Sequence, residues 1–156
     1  MVVQLTVERV LKKAIQREIE SQNLYRDLSQ RMKDKVAKDA FRQLTREELG
    51  HEKLLRKYLR GELKEGALKR KQVLDYRITE YLEQPEISPG MKLKDIFLLA
   101  ANREKISHEF YLSLVEVHPP GTVKGLLERL ASEELGHKQK VEFLYTETAF
   151  PQTDGG

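Results

Sequence analysis

Leu44-Thr45-Arg46-Glu47-Glu48-Leu49-Gly50-His51 ends in a glutamate and a histidine three residues apart, and Leu130-Ala131-Ser132-Glu133-Glu134-Leu135-Gly136-His137 ends in the same way. On a helix that spacing puts both side chains on one face, a turn apart. The two stretches are related by a constant offset of 86 residues (134 − 48, 137 − 51), and the offset reaches well beyond them. Ala14, Arg17, Glu18, Ser21, Tyr25 and Leu28 fall on Ala100, Arg103, Glu104, Ser107, Tyr111 and Leu114. Such self-similarity marks a duplicated unit, here a helical hairpin.

The surrounding sequence favours helix throughout. Trp is absent, Gly and Pro are sparse, and Glu, Lys, Arg, Leu and Ala are common. Breaks fall near Lys33-Asp34, at Gly61 and Gly66, at Ser88-Pro89-Gly90 and at His118-Pro119-Pro120-Gly121. They leave four long helices, over roughly 5–32, 36–61, 92–118 and 121–148, and a shorter helical piece near 68–83. The expected architecture is all-α: one four-helix bundle over residues 1–148 with a C-terminal tail over 149–156, of which Phe150 to Gly156 reads as disordered.

Alternating steps of four and three trace one stripe along each helix. The stripes run Val7, Leu11, Ala14, Glu18, Ser21, Tyr25, Leu28, Met32, and then Ala37, Phe41, Leu44, Glu48, His51, Leu55, Tyr58. In the second half they run Phe97, Ala100, Glu104, Ser107, Tyr111, Leu114, His118, and then Val123, Leu127, Leu130, Glu134, His137, Val141, Leu144. Each stripe is apolar except near its middle, where it carries a glutamate. All four glutamates therefore come to one height in the core whichever way each helix runs. Four unpaired carboxylates there would cost several kcal/mol each or take up protons. No Lys or Arg occupies a neighbouring seam position, so the balancing cations are expected to be metal ions held by Glu18, Glu48, His51, Glu104, Glu134 and His137. Two divalent ions balance four carboxylates and two neutral imidazoles. Carboxylate with imidazole suits iron, with manganese or zinc also possible.

Tyr25 and Tyr111 lie two turns beyond Glu18 and Glu104, and helical side chains lean toward the N-terminus. Their hydroxyls either reach the ligand carboxylates or find ordinary core partners. Gly50 and Gly136 each cost about 1 kcal/mol relative to Ala in a helix interior, which suggests room for a close neighbour beside the site. Glu47 and Glu133 lie just off the seam and read as surface residues, while His108 and His118 read as surface and helix-end residues.

The bulk composition excludes several other classes. With no cysteine, the chain has no disulfide, zinc ribbon or thiolate redox centre. The longest apolar run, Ile96 to Ala101, is far short of the ~20 residues that cross a bilayer as a helix. Residues 1–10 carry no secretory pattern, so a cytoplasmic location is the expectation and no membrane partner is foreseen. The net charge is only +3, and Lys12-Lys13 and Lys69-Arg70-Lys71 read as solvated faces, so no nucleic-acid partner is expected.

Over about residues 5–148 the chain resembles the rubrerythrin branch of the ferritin-like superfamily. The residues that carry the likeness are Glu18 with Tyr25, Glu47-Glu48-Leu49-Gly50-His51, Glu104 with Tyr111, and Glu133-Glu134-Leu135-Gly136-His137. One Glu from each of two helices plus Glu-x-x-His from the other two is the ligand set of ferritin-like di-iron bundles. The resemblance implies two iron ions per chain, bridged by Glu48 and Glu134, with Glu18 and His51 as terminal ligands at one and Glu104 and His137 at the other. It also implies a long crossover, partly helical here, between the second and third helices. The implied activity is that of a di-iron oxidoreductase reducing hydrogen peroxide, or dioxygen. Rubrerythrins usually carry a rubredoxin-like domain with four cysteines, so electrons here are expected from a separate donor such as a rubredoxin. A homodimer is the expected assembly. Many relatives have a further carboxylate three residues after the third-helix glutamate, where this chain has Ser107. The alternatives are an iron-binding or ferroxidase protein without peroxidase turnover, and a structural bundle without metal. A storage shell is disfavoured, since ferritins usually carry a fifth helix.

Overall fold

The structure is a computed structural model that describes residues 4–74, 78, 81, 84–88 and 90–149. Its helices are α1 (Val7–Arg31), α2 (Lys35–Leu59), α3 (Leu93–Val117) and α4 (Thr122–Ala149), within a few residues of the bounds expected from the breaks. Thr6 starts α1 by accepting from the Arg9 amide at 3.3 Å, and Asp34 starts α2 by accepting from the Ala37 amide at 2.9 Å. Each satisfies a backbone donor that the first helical turn leaves without a partner. Among the described residues, no helix is long and apolar enough to cross a membrane.

The seam residues are the core. All seven predicted for α2 are buried, and they are the helix's whole buried set. The predicted stripes of α1, α3 and α4 are buried as well, including all four glutamates. Two apolar clusters result. One combines the N-terminal halves of α1 and α4 with the C-terminal halves of α2 and α3, around Val10, Leu55, Leu114 and Leu127. The other combines the opposite halves, around Leu28, Phe41, Phe97 and Leu144. The glutamates lie between the two clusters. This pairing of halves also fixes direction: α1 and α4 run one way, α2 and α3 the other. Because α2 and α3 are parallel, the chain must travel back along helices about 40 Å long between them, which accounts for the long connection.

That connection departs from expectation in its first part. Residues 68–74 are not helical: they make a turn at Arg70 and Lys71, closed by Gln72 N–H donating to the Lys69 carbonyl at 3.0 Å, and Val73 pairs with Thr6 in an antiparallel bridge. The reason lies in α1, whose first amides need acceptors: Val7 N–H donates to the Gln72 carbonyl at 2.9 Å and Glu8 N–H to that of Arg70 at 3.0 Å. A helix over 68–74 would have used those carbonyls internally. Of the remainder of the expected piece, Ile78 and Tyr81 are described, both in 3₁₀ conformation with Ile78 buried, and the other residues lie outside the described set. The expected tail over 150–156 also lies outside it. Where the crossover leaves α2 it closes on the start of α4, and a Cβ at Gly121 would sit 2.9 Å from the Glu65 carbonyl oxygen. Such close approach of two backbones requires glycine.

Candidate metal centre

The six residues singled out by the seams converge. One oxygen or nitrogen from each of Glu18, Glu48, His51 and Glu134 lies within 4.8 Å of the others, and the same holds for Glu48, Glu104, Glu134 and His137. Glu48 and Glu134 belong to both groups, so the arrangement has two centres with two shared carboxylates. All six residues are buried.

Each residue also presents one polar atom without a hydrogen-bond partner: Glu18 Oε2, Glu48 Oε1, His51 Nδ1, Glu104 Oε2, Glu134 Oε1 and His137 Nδ1. His51 Nδ1 is 2.8 Å from Glu134 and His137 Nδ1 is 2.6 Å from Glu48, yet neither contact has hydrogen-bond geometry. Buried polar atoms are ordinarily satisfied. Six orphaned donor atoms pointing at one place fit cations, and their chemistry of four carboxylates and two imidazoles fits a pair of divalent ions.

The outer atoms of the same residues are held in place, and the holding is crossed between the halves. Tyr111 donates to Glu18 Oε1 at 2.5 Å, and Tyr25 donates to Glu104 Oε1. His51 Nε2 meets Glu133 at 2.6 Å, and His137 Nε2 meets Glu47 at 2.8 Å. A carboxylate only accepts, so Nε2 carries a proton in both rings and Nδ1 is the atom that faces the cluster. The rings stack with centroids 5.5 Å apart. Glu47 and Glu133 are thus not merely surface residues as their off-seam position suggested, because each orients the histidine of the opposite hairpin. The available signal was their repetition at the offset that relates the ligands.

Without cations the cluster holds protons. Burial pushes the Glu48 carboxyl well above its ordinary range, reinforced by the charge of Glu134, and burial with the charge of Glu104 does the same to Glu134. Burial alone would lower His51, but the facing Glu134 and Glu18 carboxylates outweigh it and push it up to about 11. His137 is raised too, with burial offset chiefly by Glu104. Glu18 is lowered, its burial outweighed by contacts with Glu48 and His51. Burial and nearby carboxylates, Glu104 first for Tyr25 and Glu18 first for Tyr111, keep both phenols neutral.

Other residues fall around the centre. Arg17 and Arg103, one residue before the ligand glutamates, are buried, which the seam pattern did not foresee. Arg17 lies over the Phe110 ring, while Arg103 reaches the Pro85 carbonyl at 3.0 Å and Glu20 at 3.3 Å, so it does not neutralise the cluster. Ser107 accepts from Gln84 of the crossover at 2.7 Å. His118 does sit at a helix end, but buried, with Tyr58 2.7 Å from its Nε2. His108 is half-buried, its Nδ1 2.6 Å from the Ala131 carbonyl oxygen. Gly50 and Gly136 have no close neighbour after all, and a Cβ at either would meet nothing within 4 Å.

No curated protein matches the chain. A hypothetical protein from Pyrococcus furiosus shares 30% identity over 90% of this chain and 88% of its own, with a TM-score of 0.69. A protein from Thermotoga maritima, described as a ferritin-like diiron-carboxylate protein, has a similar fold, with a TM-score of 0.73 and 22% identity over 94% of this chain and 99% of its own. The rubrerythrin family model matches residues 9–145, which span all four helices and both Glu-x-x-His pairs, and the chain therefore belongs to the rubrerythrin family.

Proposed function

We propose that the chain holds two iron ions and reduces hydrogen peroxide to water with electrons from a separate carrier such as a rubredoxin. The observation that carries this reading is the pair of four-residue groups sharing Glu48 and Glu134. Glu48 and Glu134, which belong to both groups, would be shared by the two ions, Glu18 with His51 would hold one, and Glu104 with His137 would hold the other. The likeness to a ferritin-like diiron-carboxylate protein and the family match support iron over manganese or zinc.

When bound, two ferrous ions supply one electron each, the number that peroxide needs when it takes up two protons and leaves as two waters. The chain's part is to hold, orient and exclude. Tyr25 and Tyr111 donate to terminal carboxylates across the bundle, fixing which oxygen of Glu104 and Glu18 faces inward. Glu47 and Glu133 fix the tautomer and angle of each imidazole. The apolar clusters above and below keep bulk water from the centre. With no cysteine in the chain, no second iron centre of the rubredoxin type can refill the pair from within.

Anaerobic loading with ferrous ion followed by rapid mixing tests the reading. The expected result is two ions per chain, oxidation faster by peroxide than by dioxygen at equal concentration, and turnover only when a reductant is supplied. Equal rates, with ferric iron accumulating far beyond two ions per chain, would replace the enzyme by an iron-storing protein.

A further inference from the structure

A cavity of about 430 Å³ lies between α2 and α4. Its rim includes the exposed Glu47 and Gly136, half-buried Ala40 and Glu133 stand along it, and its floor includes the buried Leu44 and His137. It therefore opens to solvent, is lined by one cluster histidine and touches both carboxylates that hold the histidines. The cavity on another face, lined by Lys13, Arg17 and Arg103 among others, touches none of the six cluster residues.

Gly136 makes this cavity more than a packing accident. It lies in the middle of a helix, where glycine weakens the backbone. A Cβ there would meet nothing within 4 Å, so neither close packing nor backbone conformation demands glycine. What a larger side chain would take is the open space beside His137.

Resting on the peroxidase reading above, we infer that the α2–α4 cavity is the entrance by which a small neutral oxidant reaches the centre, and that Gly136 keeps it open. Glu47, Glu133 and Lys140 line it together, so charges of both signs stand at its mouth and it suits a neutral molecule better than a strongly charged one. Hydrogen peroxide meets both requirements.

Gly136→Leu and Ala40→Leu should narrow the entrance while leaving the cluster intact. Gly50→Leu is the control: it is the equivalent position in the first hairpin, equally unobstructed, but it does not line the cavity. Each variant is first loaded anaerobically and shown to hold two ferrous ions with unchanged helical circular dichroism. Oxidation by peroxide should slow by about tenfold or more in Gly136→Leu, less in Ala40→Leu, and stay within about twofold of the parent in Gly50→Leu. Nitric oxide, a neutral probe of the ferrous pair, supplies a second readout. A narrowed entrance slows its binding and release by the same factor and leaves its Kd unchanged, whereas damage to the centre changes Kd. Parent-like rates in Gly136→Leu, equal slowing in Gly50→Leu, or a changed Kd would each overturn the entrance. A parent protein that loads two ions and binds nitric oxide but ignores peroxide overturns the peroxidase reading instead, and the nitric oxide rates then decide the entrance alone.

Discussion

The two hairpins, α1–α2 and α3–α4, agree around the six cluster residues and diverge away from them. At the cluster the contacts come in equivalent pairs: Tyr111 on Glu18 and Tyr25 on Glu104, Glu133 on His51 and Glu47 on His137. Outside, equivalent positions have different partners. Gln22 donates to Glu52 at 2.9 Å, while its counterpart His108 faces the Ala131 carbonyl. Arg17 covers Phe110, while Arg103 ties to the crossover at Pro85. A duplicated hairpin must keep what both copies give to a shared centre. Residues that face the single, unduplicated crossover are released from that constraint, and so Ser107 has acquired Gln84 as a partner. Equality within and difference without predict which substitutions act on the whole centre and which on half of it.

The largest expected effect is at the shared carboxylates. Glu48→Ala or Glu134→Ala should abolish binding of both ions, because each belongs to both groups, whereas Glu18→Ala or Glu104→Ala should cost chiefly one. Elemental analysis after anaerobic loading reads the difference. If all four variants lose the same amount, the sharing of Glu48 and Glu134 is not functional and the comparison fails at its centre.

A smaller effect tests the crossing. Glu133→Gln leaves an amide that can still accept from His51 but removes the charge, and should weaken the ion at His51 by about 10–100-fold, the usual range for a partner behind a metal ligand. Glu47→Gln should weaken the ion at His137 instead. Ferrous titrations of the two variants would separate the sites. An effect of Glu133→Gln confined to the ion at His137, which shares its helix, would show that the halves are not interlocked.

Both hairpins were legible in the sequence because a buried stripe is a periodicity, and the convergence of the six-residue cluster because four glutamates interrupt four stripes at one height. The seven buried residues of α2 are the seven of its stripe for that reason. What stayed hidden depends on pairing across helices. Glu47 and Glu133 look solvated when each helix is considered alone, since their partners lie on the other hairpin. Arg17 lies over Phe110 of another helix and Arg103 reaches Pro85 of the crossover, contacts to which a helical repeat is blind. The 68–74 segment has helix-compatible residues, but α1 required its carbonyls. Tertiary demand for acceptors overrode local preference there.

The smallest effect concerns the shared seam as a titrating unit in metal-free protein. Glu48, Glu134, His51 and His137 all have folded pKa values above their ordinary ones. A raised group gives stability that is complete below its unfolded pKa and is lost as pH rises through the folded value. Glu18 and Glu133 are lowered and act in the opposite sense, but only as pH falls below the carboxylate range. His118 is lowered by burial and acts only below about its ordinary 6.5. Between pH 7 and 9, then, His51, whose folded value is about 11, acts without opposition from these, and the metal-free protein should lose stability as pH rises, with Tm falling by a few degrees at ~2–4 °C per kcal/mol for a chain of this size. Ferrous ions replace those protons, so the loaded protein kept anaerobic should not show the fall, and it should release its metal in acid instead. Thermal melts of both forms followed by circular dichroism decide the matter. Because both hairpins contribute to one set of protons, the metal-free melt should remain a single transition throughout. A Tm independent of pH would mean the seam holds no protons, and two separating transitions would mean the hairpins titrate apart, contrary to the equality seen in their shared interior.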